Sequence, residues 1–219
     1  VLKIAHIADV HFRGLSRHNE YVQVFTSFAS QVKNQGIQHV FVGGDIFHTK
    51  TTGLSPEYIE IMSWWLTTLS KDAELHLTLG NHDGNLVNLG RQDAVTPIVK
   101  ALNNPRVHLY KESGVYEFSP GFNWCVFSLF DEEGWSRVKP VPGKVNIACY
   151  HGPVFGAHTE SNWLIEEGLT IEHFKEYDFA FLGDIHRLQF LDYREIELVI
   201  DENDLGRYPG AVVVQEGSV

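Results

Sequence analysis

Five apolar runs, each ending in polar side chains able to hold a metal ion, constrain this chain more than any other feature. Leu2 to Ala8 leads into Asp9-Val10-His11, His39-Val40-Phe41-Val42 into Gly43-Gly44-Asp45-Ile46-Phe47-His48, and Leu75 to Leu79 into Gly80-Asn81-His82-Asp83. Further on, Val145 to Tyr150 runs into His151-Gly152-Pro153, and Phe179-Ala180-Phe181-Leu182 into Gly183-Asp184-Ile185-His186. Apolar runs of this kind read as buried strands. Parallel strands bring their carboxyl ends to one edge, and that edge is where open α/β sheets bind ligands.

The segments between the first runs are helical in period. Tyr21, Val24, Phe25, Phe28, Ala29 and Val32 recur on one face, with Gly36 as a stop. Ser55-Pro56 opens a second helix carrying Ile59, Met62, Trp64, Trp65 and Leu69, the two tryptophans being read as packing residues, and Asp93 to Leu102 reads as a third. Strand alternating with helix predicts a mainly parallel sheet with right-handed crossovers. After Pro105, the short strands Val107 to Tyr110, Val115 to Phe118 and Trp124 to Leu129 predict a second sheet, mixed or antiparallel. A surface loop is expected from Asp131 to Gly143, and helical turns at Asn162 to Glu167 and Thr170 to Phe174. Two more strands, Glu195 to Ile200 and Ala211 to Gln215, flank a charged turn at Asp201 to Asp204.

Composition narrows the function. With 219 residues and 43% hydrophobic content the chain can bury a substantial core, and residues 1–219 are read as one domain. No apolar run approaches the about 18 residues that a membrane span needs. The start, Val1-Leu2-Lys3-Ile4, lacks the long apolar core of a signal peptide, so the expectation is a processed or trimmed intracellular chain. Cys125 and Cys149 lie inside apolar runs and are expected to be buried and reduced. Seventeen Lys and Arg against 28 Asp and Glu leave a formal charge of -11, which argues against broad electrostatic adhesion to nucleic acid or anionic lipid. An acidic body does suit a protein that holds divalent cations, because the cations can themselves receive a phosphate. The 12 histidines exceed what a core of this size needs.

One Gly-Asp or one histidine after a strand is an ordinary loop; five such endings on one sheet edge are a constellation. Three carboxylates, three or four imidazoles and an amide oxygen are too many donors for one tetrahedral site. They fit two adjacent ions sharing a carboxylate, and mixed oxygen and nitrogen sets suit manganese, iron or zinc. Two ions roughly 3.5 to 4 Å apart clamp the attacking and leaving oxygens of a phosphoryl group and activate water. Phosphoester hydrolysis is the reaction class that follows.

The ordered motifs Asp9-Val10-His11, Gly44-Asp45, Gly80-Asn81-His82-Asp83, Tyr150-His151 and Gly183-Asp184-Ile185-His186 resemble those of the calcineurin-like metallophosphoesterase superfamily over nearly the whole chain. The resemblance implies a four-layer α/β/β/α sandwich, two mixed sheets flanked by helices, with a dimetal centre. By motif, Asp9, His11, Asp45 and His186 would hold one ion and Asp45, Asn81, His151 and Asp184 the other, with Asp45 as the bridge. Within the superfamily the chain is similar to double-strand-break repair nucleases of the SbcD type. Gly44-Asp45-Ile46-Phe47-His48 is similar to their second motif, in which the added His assists catalysis, and Tyr208-Pro209-Gly210 to their tail. Protein phosphatases place Arg where this chain has Leu79. The implied activity is exo- and endonucleolytic cleavage of DNA in repair or recombination. The two divalent ions are expected to be manganese, with magnesium, iron or zinc as alternatives. The implied partners are a second copy of the chain, through helices near the first two motifs, and an ABC ATPase subunit of the SbcC type. The family's capping and ATPase-binding regions lie outside this sequence.

Within that frame, His82 is expected to stabilise developing charge or protonate the leaving oxygen, with Asp83 as its orienting partner. Gly80 is read as giving the bend before Asn81. His48 is expected to contact the sugar-phosphate backbone or the leaving group, and Arg13, Arg17, Lys50 and Arg187 to form a local basic rim on an acidic body. Two departures stand out. The related nucleases usually have Gly-His-x-His where this chain has Gly183-Asp184-Ile185-His186, and the stretch Asp192 to Arg207 is longer than expected. A carboxylate for an imidazole at Asp184 favours manganese or magnesium over softer metals. The rival readings are a small-molecule, cyclic-nucleotide phosphodiesterase on the same scaffold, and a metal-poor binding subunit.

Overall fold

Side-chain alternation along the strands decides how the layers stack. In β2 (His39–Gly43), Val40 and Val42 join one core while Phe41 joins another, because successive residues of a strand face opposite sides. The computed structural model describes residues 2–13, 17–48, 55–187, 189 and 191, with the backbone of 198–199 and 212–215.

The first sheet has six strands. β1 (Lys3–Ile7), β2, β3 (Glu74–Thr78) and β4 (Val107–Tyr110) run parallel in the order β4-β3-β2-β1. Beyond β1 the order continues to β10 (Val212–Gln215) and β9 (Leu198–Val199), both pairings antiparallel. The second sheet has the order β5-β6-β7-β8, from Gly114–Ser119, Phe122–Phe127, Val145–His151 and Phe179–Gly183. It is mixed, β5 being antiparallel to β6 and the rest parallel. The predicted strands at Glu195 to Ile200 and Ala211 to Gln215 correspond to β9 and β10, and the turn between them lies outside the described residues.

Helices cover the first sheet. α1 (His18–Gln35) ends where Gly36 adopts φ +66, a left-handed stop that L side chains resist. α2 (Pro56–Leu69) starts at Ser55, whose hydroxyl accepts from Tyr58 N–H, with Pro56 at the first helical position. α3 (Thr96–Leu102) is shorter than expected, because the Asp93 carboxylate accepts from the amides of Val95 and Thr96 and holds the preceding turn outside the helix. Phe25, Phe28 and Val32 of α1, Met62, Trp65 and Leu66 of α2, and Ile98 of α3 pack on Ala5, Val40, Val42, Leu75 and Leu77. Trp65 is fully buried, but Trp64 is 37% exposed, so only one of the pair is a core residue.

A second core fills the space between the sheets, where Ile4 and Phe41 meet Trp124, Val126, Ile147, Cys149 and Phe181. A third lies on the far side of the second sheet, where Cys125, Ala148 and Tyr150 meet Val154, Ala157, Phe174 and Tyr177. Both cysteines are buried and free. This layered arrangement of two sheets and helices is the predicted one, with two corrections. Val107–Tyr110 belongs to the first sheet, because α3 returns the chain alongside β3 as another crossover. On the outer face of the second sheet the expected helical turn at Thr170 to Phe174 is present as a 3-10 turn, Ile171–Phe174, but the expected loop contains another, Glu132–Arg137, and Asn162 to Glu167 is half of a hairpin instead of a helical turn.

Several histidines are structural. His6 is buried, stacks on Phe181 at 4.6 Å, and burial pushes its imidazole down to about 3. His39 Nδ1 lies 3.0 Å from His76 Nε2, and His76 Nδ1 lies 2.9 Å from the Tyr110 hydroxyl, forming a hydrogen-bonded chain across β2, β3 and β4.

Two outcomes follow. Trp124, fully buried and stacked on Phe118 at 3.9 Å, anchors the intersheet core. Trp124→Ala should cost about 3–5 kcal/mol in urea unfolding, and Trp64→Ala no more than about 0.5 kcal/mol. For His6 the folded value lies below the unfolded one, so the unfolded chain binds the extra proton between about pH 3 and 6.5. Stability should therefore fall as pH drops through that window, and His6→Phe should flatten the slope by up to about 1.4 kcal/mol per pH unit.

Candidate metal centre

The edge where β1, β2, β3, β7 and β8 end is stitched together before any side-chain chemistry begins. Asp9 N–H donates to the Gly44 carbonyl at 3.1 Å, and His11 N–H to the Asp45 carbonyl at 2.9 Å, joining the β1 and β2 loops. Two bonds then cross between the sheets. The Asp184 amide lies 3.0 Å from both carboxylate oxygens of Asp9, and His151 Nδ1 lies 2.6 Å from the Gly43 carbonyl. A carbonyl can only accept, so Nδ1 of His151 carries a proton and Nε2 turns toward the carboxylates.

Backbone strain gathers at the same place. Among the described residues seven non-glycine positions have positive φ, and five of them are Asp9 (55°), His11 (44°), Asp45 (51°), Asp184 (72°) and His186 (55°). Asp and His tolerate this region better than most residues, yet such conformations persist only where the surroundings over-determine them. Here the loops are bent so that their side chains converge.

The convergence has two halves. Asp9, His11 and His186 offer ligand atoms within 4.8 Å of one another, and so do Asp9, Asp45 and His151. In the first half, His11 Nε2 and His186 Nε2 are 3.0 Å apart, and His186 Nε2 lies 3.5 Å from Asp9 Oδ1. In the second, His151 Nε2 is 3.4 Å from Asp45 Oδ2 and 4.0 Å from Asp184 Oδ1. Asp45 Oδ2 is also 3.6 Å from His11 Nε2, so one oxygen faces both halves. Asn81 is half-buried on the β3 loop, beside His82.

Electrostatics make this a poor arrangement for protons alone. Burial raises the Asp9 carboxyl to about 6, with Asp45 adding to the rise against His151 and His186. Asp184 is raised chiefly by burial, whereas Asp45 is held low because His151 outweighs its burial. His11 is pushed down to about 4 by burial, and His151, which burial would lower, is raised to about 9 by Asp45 and Asp9. Asp45 Oδ2 and His151 Nε2 are buried and face each other without the geometry of a hydrogen bond. Buried, unsatisfied donor atoms of mixed oxygen and nitrogen type are what hard or borderline divalent cations satisfy, and the residues present fit two such ions.

The neighbouring residues differ in part from expectation. His82 N–H donates to Asp45 Oδ1 at 2.8 Å, so the β3 loop is pinned to the same carboxylate. Asp83 does not orient His82. Its Oδ1 accepts from Phe47 N–H at 3.0 Å and its Oδ2 from Gly80 N–H at 2.9 Å, and burial raises its carboxyl to about 7. The His82 ring is held by the His48 carbonyl, 2.6 Å from Nδ1, which leaves Nε2 outward. Gly80 is required for closeness, not for a bend: a Cβ there would collide with the Asp45 carboxylate, and its φ is not in the left-handed region. His48 sits with His11 and His82, their ring nitrogens within 4.8 Å. The expected basic rim is thin. Arg17 pairs with Glu20, Arg187 donates to Asn162, Arg13 is exposed, and Lys50 lies outside the described residues.

The carbonyls of Gly43 and His48 have no signal in the sequence, since backbone oxygens carry no residue identity. Gly80 was legible as special but for a different reason. Adding manganese to metal-stripped protein should raise Tm, by an amount equivalent to about 2.7 kcal/mol at a hundredfold excess over Kd. Gly80→Ala should lower the bound-metal stoichiometry measured by elemental analysis, and Gly90→Ala, whose Cβ meets only ordinary contact, should not.

Comparison with known proteins gives the fold and site a family. The family profile described as calcineurin-like phosphoesterase matches residues 2–188. A relative, the uncharacterized protein R555 of Acanthamoeba polyphaga mimivirus, is 36% identical over 97% of this chain, which spans 16% of that protein's length. Among solved structures, a Pseudomonas putida nuclease, MPE, is similar with a TM-score of 0.42 and 16% identity, over 74% of this chain and 66% of that one. A dimetal phosphatase from Danio rerio is similar with a TM-score of 0.45 and 11% identity, over 99% of this chain and 88% of that one. With the profile spanning β1 to β8 and every strand-end loop that carries a candidate donor, the chain belongs to the calcineurin-like phosphoesterase family of metal-dependent phosphoester hydrolases.

Proposed function

We propose that this chain is a dimetal phosphodiesterase that cuts DNA, of the SbcD type. The observation that supports this most is His48. It follows the bridging candidate Asp45 by three residues and joins His11 and His82 in a group that contains no carboxylate, its ring 6.0 Å from that of His82 and nearly parallel to it. Hydrolysis of a phosphodiester expels an alkoxide, a poor leaving group that needs a proton or a strong hydrogen bond. Two imidazoles beside the donor cluster supply two such groups.

Two ions held by Asp9, His11, Asp45, Asn81, His151, Asp184 and His186 would lower the pKa of water and neutralise charge on the phosphate. The oxygen-rich set, with a carboxylate at Asp184, points to manganese. The chain's own residues then have separate tasks. Asp45 fixes the β3 loop through His82 N–H, and His82 presents Nε2 to the leaving oxygen because the His48 carbonyl holds its other nitrogen. Asp83 sets the loop's shape from behind by binding the Phe47 and Gly80 amides. The reading carries with it DNA as substrate, a second copy of the chain and an SbcC-type ATPase as partners, and an intracellular setting in repair or recombination. Leu79 in place of Arg agrees with it, and Tyr208-Pro209-Gly210, which also supports it, lies outside the described residues.

End-labelled single- and double-stranded DNA and a cyclic nucleotide should be assayed in parallel with manganese, magnesium and zinc. Manganese-dependent cleavage of DNA is expected, and His82→Asn and His48→Ser should each slow it by about a hundredfold or more with bound metal unchanged. Preference for the cyclic nucleotide, or wild-type rates in both variants, would sink the reading.

A further inference from the structure

The chain that leaves β7 at His151 builds a hairpin whose tip is an exposed tryptophan. His158 pairs antiparallel with Leu164, Gly156 N–H and Ile165 N–H donate across the hairpin at 2.9 and 2.8 Å, and a parallel bridge from Val154 to Leu169 ties down its root. Its base is anchored, because Val154 and Ala157 are fully buried. Its tip is closed by Thr159, whose amide donates to the Trp163 carbonyl at 2.9 Å and whose hydroxyl accepts from the Trp163 amide at 3.1 Å. Yet the Trp163 side chain is left 76% exposed, against 1% for Trp65 and 0% for Trp124.

The tip is also tied to the metal centre. Arg187 follows the candidate ligand His186 directly, and its guanidinium donates to Asn162 Oδ1 at 2.7 Å, one residue before Trp163. Gln189 brackets His158 from the same segment, accepting from its amide at 2.9 Å and donating to its carbonyl at 2.7 Å. The hairpin is thus fixed at its root by the strand ending in His151 and near its tip by the strand-end loop carrying His186.

What such a tip can recognise is limited by charge. Glu160, Glu166 and Glu167 are exposed on the hairpin, so phosphates and anionic headgroups are disfavoured along it. The flat face of a nucleobase is uncharged, and stacking on an aromatic side chain is tolerant of base identity. Resting on the phosphodiesterase reading above, we propose that Trp163 is a stacking platform for an unpaired base of the substrate strand, placed beside the metal centre so that the adjoining phosphodiester reaches the donors. Arg187, next in sequence to His186 and bonded to Asn162, links the tip to the centre. The hairpin thereby selects a strand end or an unpaired region over intact duplex.

The test measures binding, so it does not depend on cleavage. The full chain with manganese is titrated with a phosphorothioate-linked single-stranded oligonucleotide, with the same strand made abasic, and with a cyclic nucleotide. The wild-type protein should bind the base-bearing strand more tightly than the abasic one. Trp163→Ala should weaken binding of the base-bearing strand about tenfold and leave the abasic strand unchanged, while Trp163→Phe should keep most of the preference. Equal binding of base-bearing and abasic strands by wild type, or no change in Trp163→Ala, overturns the platform and leaves Trp163 as a contact for a protein partner. A Trp163-dependent preference confined to the cyclic nucleotide overturns the strand as its ligand. Failure of the nuclease reading is separately visible, as absent cleavage of unmodified DNA with base-dependent binding intact.

Discussion

Everything at the strand-end edge depends on one buried carboxylate. Asp45 is 0% exposed, and its carbonyl and both carboxylate oxygens face other loops of the edge. Its carbonyl accepts from His11 N–H, its Oδ1 accepts from His82 N–H, and its Oδ2 stands between His11 and His151. Burying an unpaired carboxylate costs several kcal/mol, so the position is tolerable only if it is compensated. The compensation here comes from loops of three different strands, which is why Gly80 and Gly44 must lack side chains: each would drive a Cβ into this carboxylate or into His151. Remove the carboxylate and three loops lose their common partner.

The same geometry explains the strain. Residues that leave a parallel strand would ordinarily continue outward, away from the sheet edge. Positive φ at Asp9, Asp45 and Asp184 turns each chain back at the first residues after its strand, so that side chains from two sheets face one another. The cross-sheet bonds from Asp184 to Asp9 and from His151 to Gly43 hold those turns in place. The first of them uses the backbone of Asp184, so it persists whichever side chain stands there. A change of side chain at position 184 therefore leaves that cross-sheet bond its donor.

How much was legible follows from what kind of information each feature needs. The buried strands and their polar endings were readable because a run such as His39-Val40-Phe41-Val42 followed by Gly43-Gly44-Asp45 carries both signals locally. The affiliation of Val107–Tyr110 was not, since a four-residue strand looks the same in either sheet and only the path of α3 decides. Asn162 to Glu167 carries only a run of three apolar residues, Trp163-Leu164-Ile165, which has no period, and the bridge that makes it a hairpin is to His158, before it in the chain. The histidine count misled in a useful way. His6, His39 and His76 are buried in the fold, so the excess does not belong to the metal centre alone. Proximity in sequence suggests His82 as the partner of Asp83, but its carboxylate holds two backbone amides that no sequence reveals.

The acidic balance of the chain gains a physical meaning at the centre. The ion pairs of Asp9, Asp45 and Asp184 among the described residues are all to histidines, with no lysine or arginine among them. Histidine is a conditional cation, and here burial works against its charge at His11, while at His151 Asp45, Asp9 and the Gly43 carbonyl sustain it against burial. A site built to hold an anion by itself would have fixed positive charge. This one places carboxylates and neutral-capable nitrogens together, so its electrostatic demand is for cations from solution. A phosphate then meets an acidic protein only where those cations sit, and the body of -11 charge repels it elsewhere. The same repulsion that argues against broad adhesion to nucleic acid thus narrows where an anionic substrate can settle.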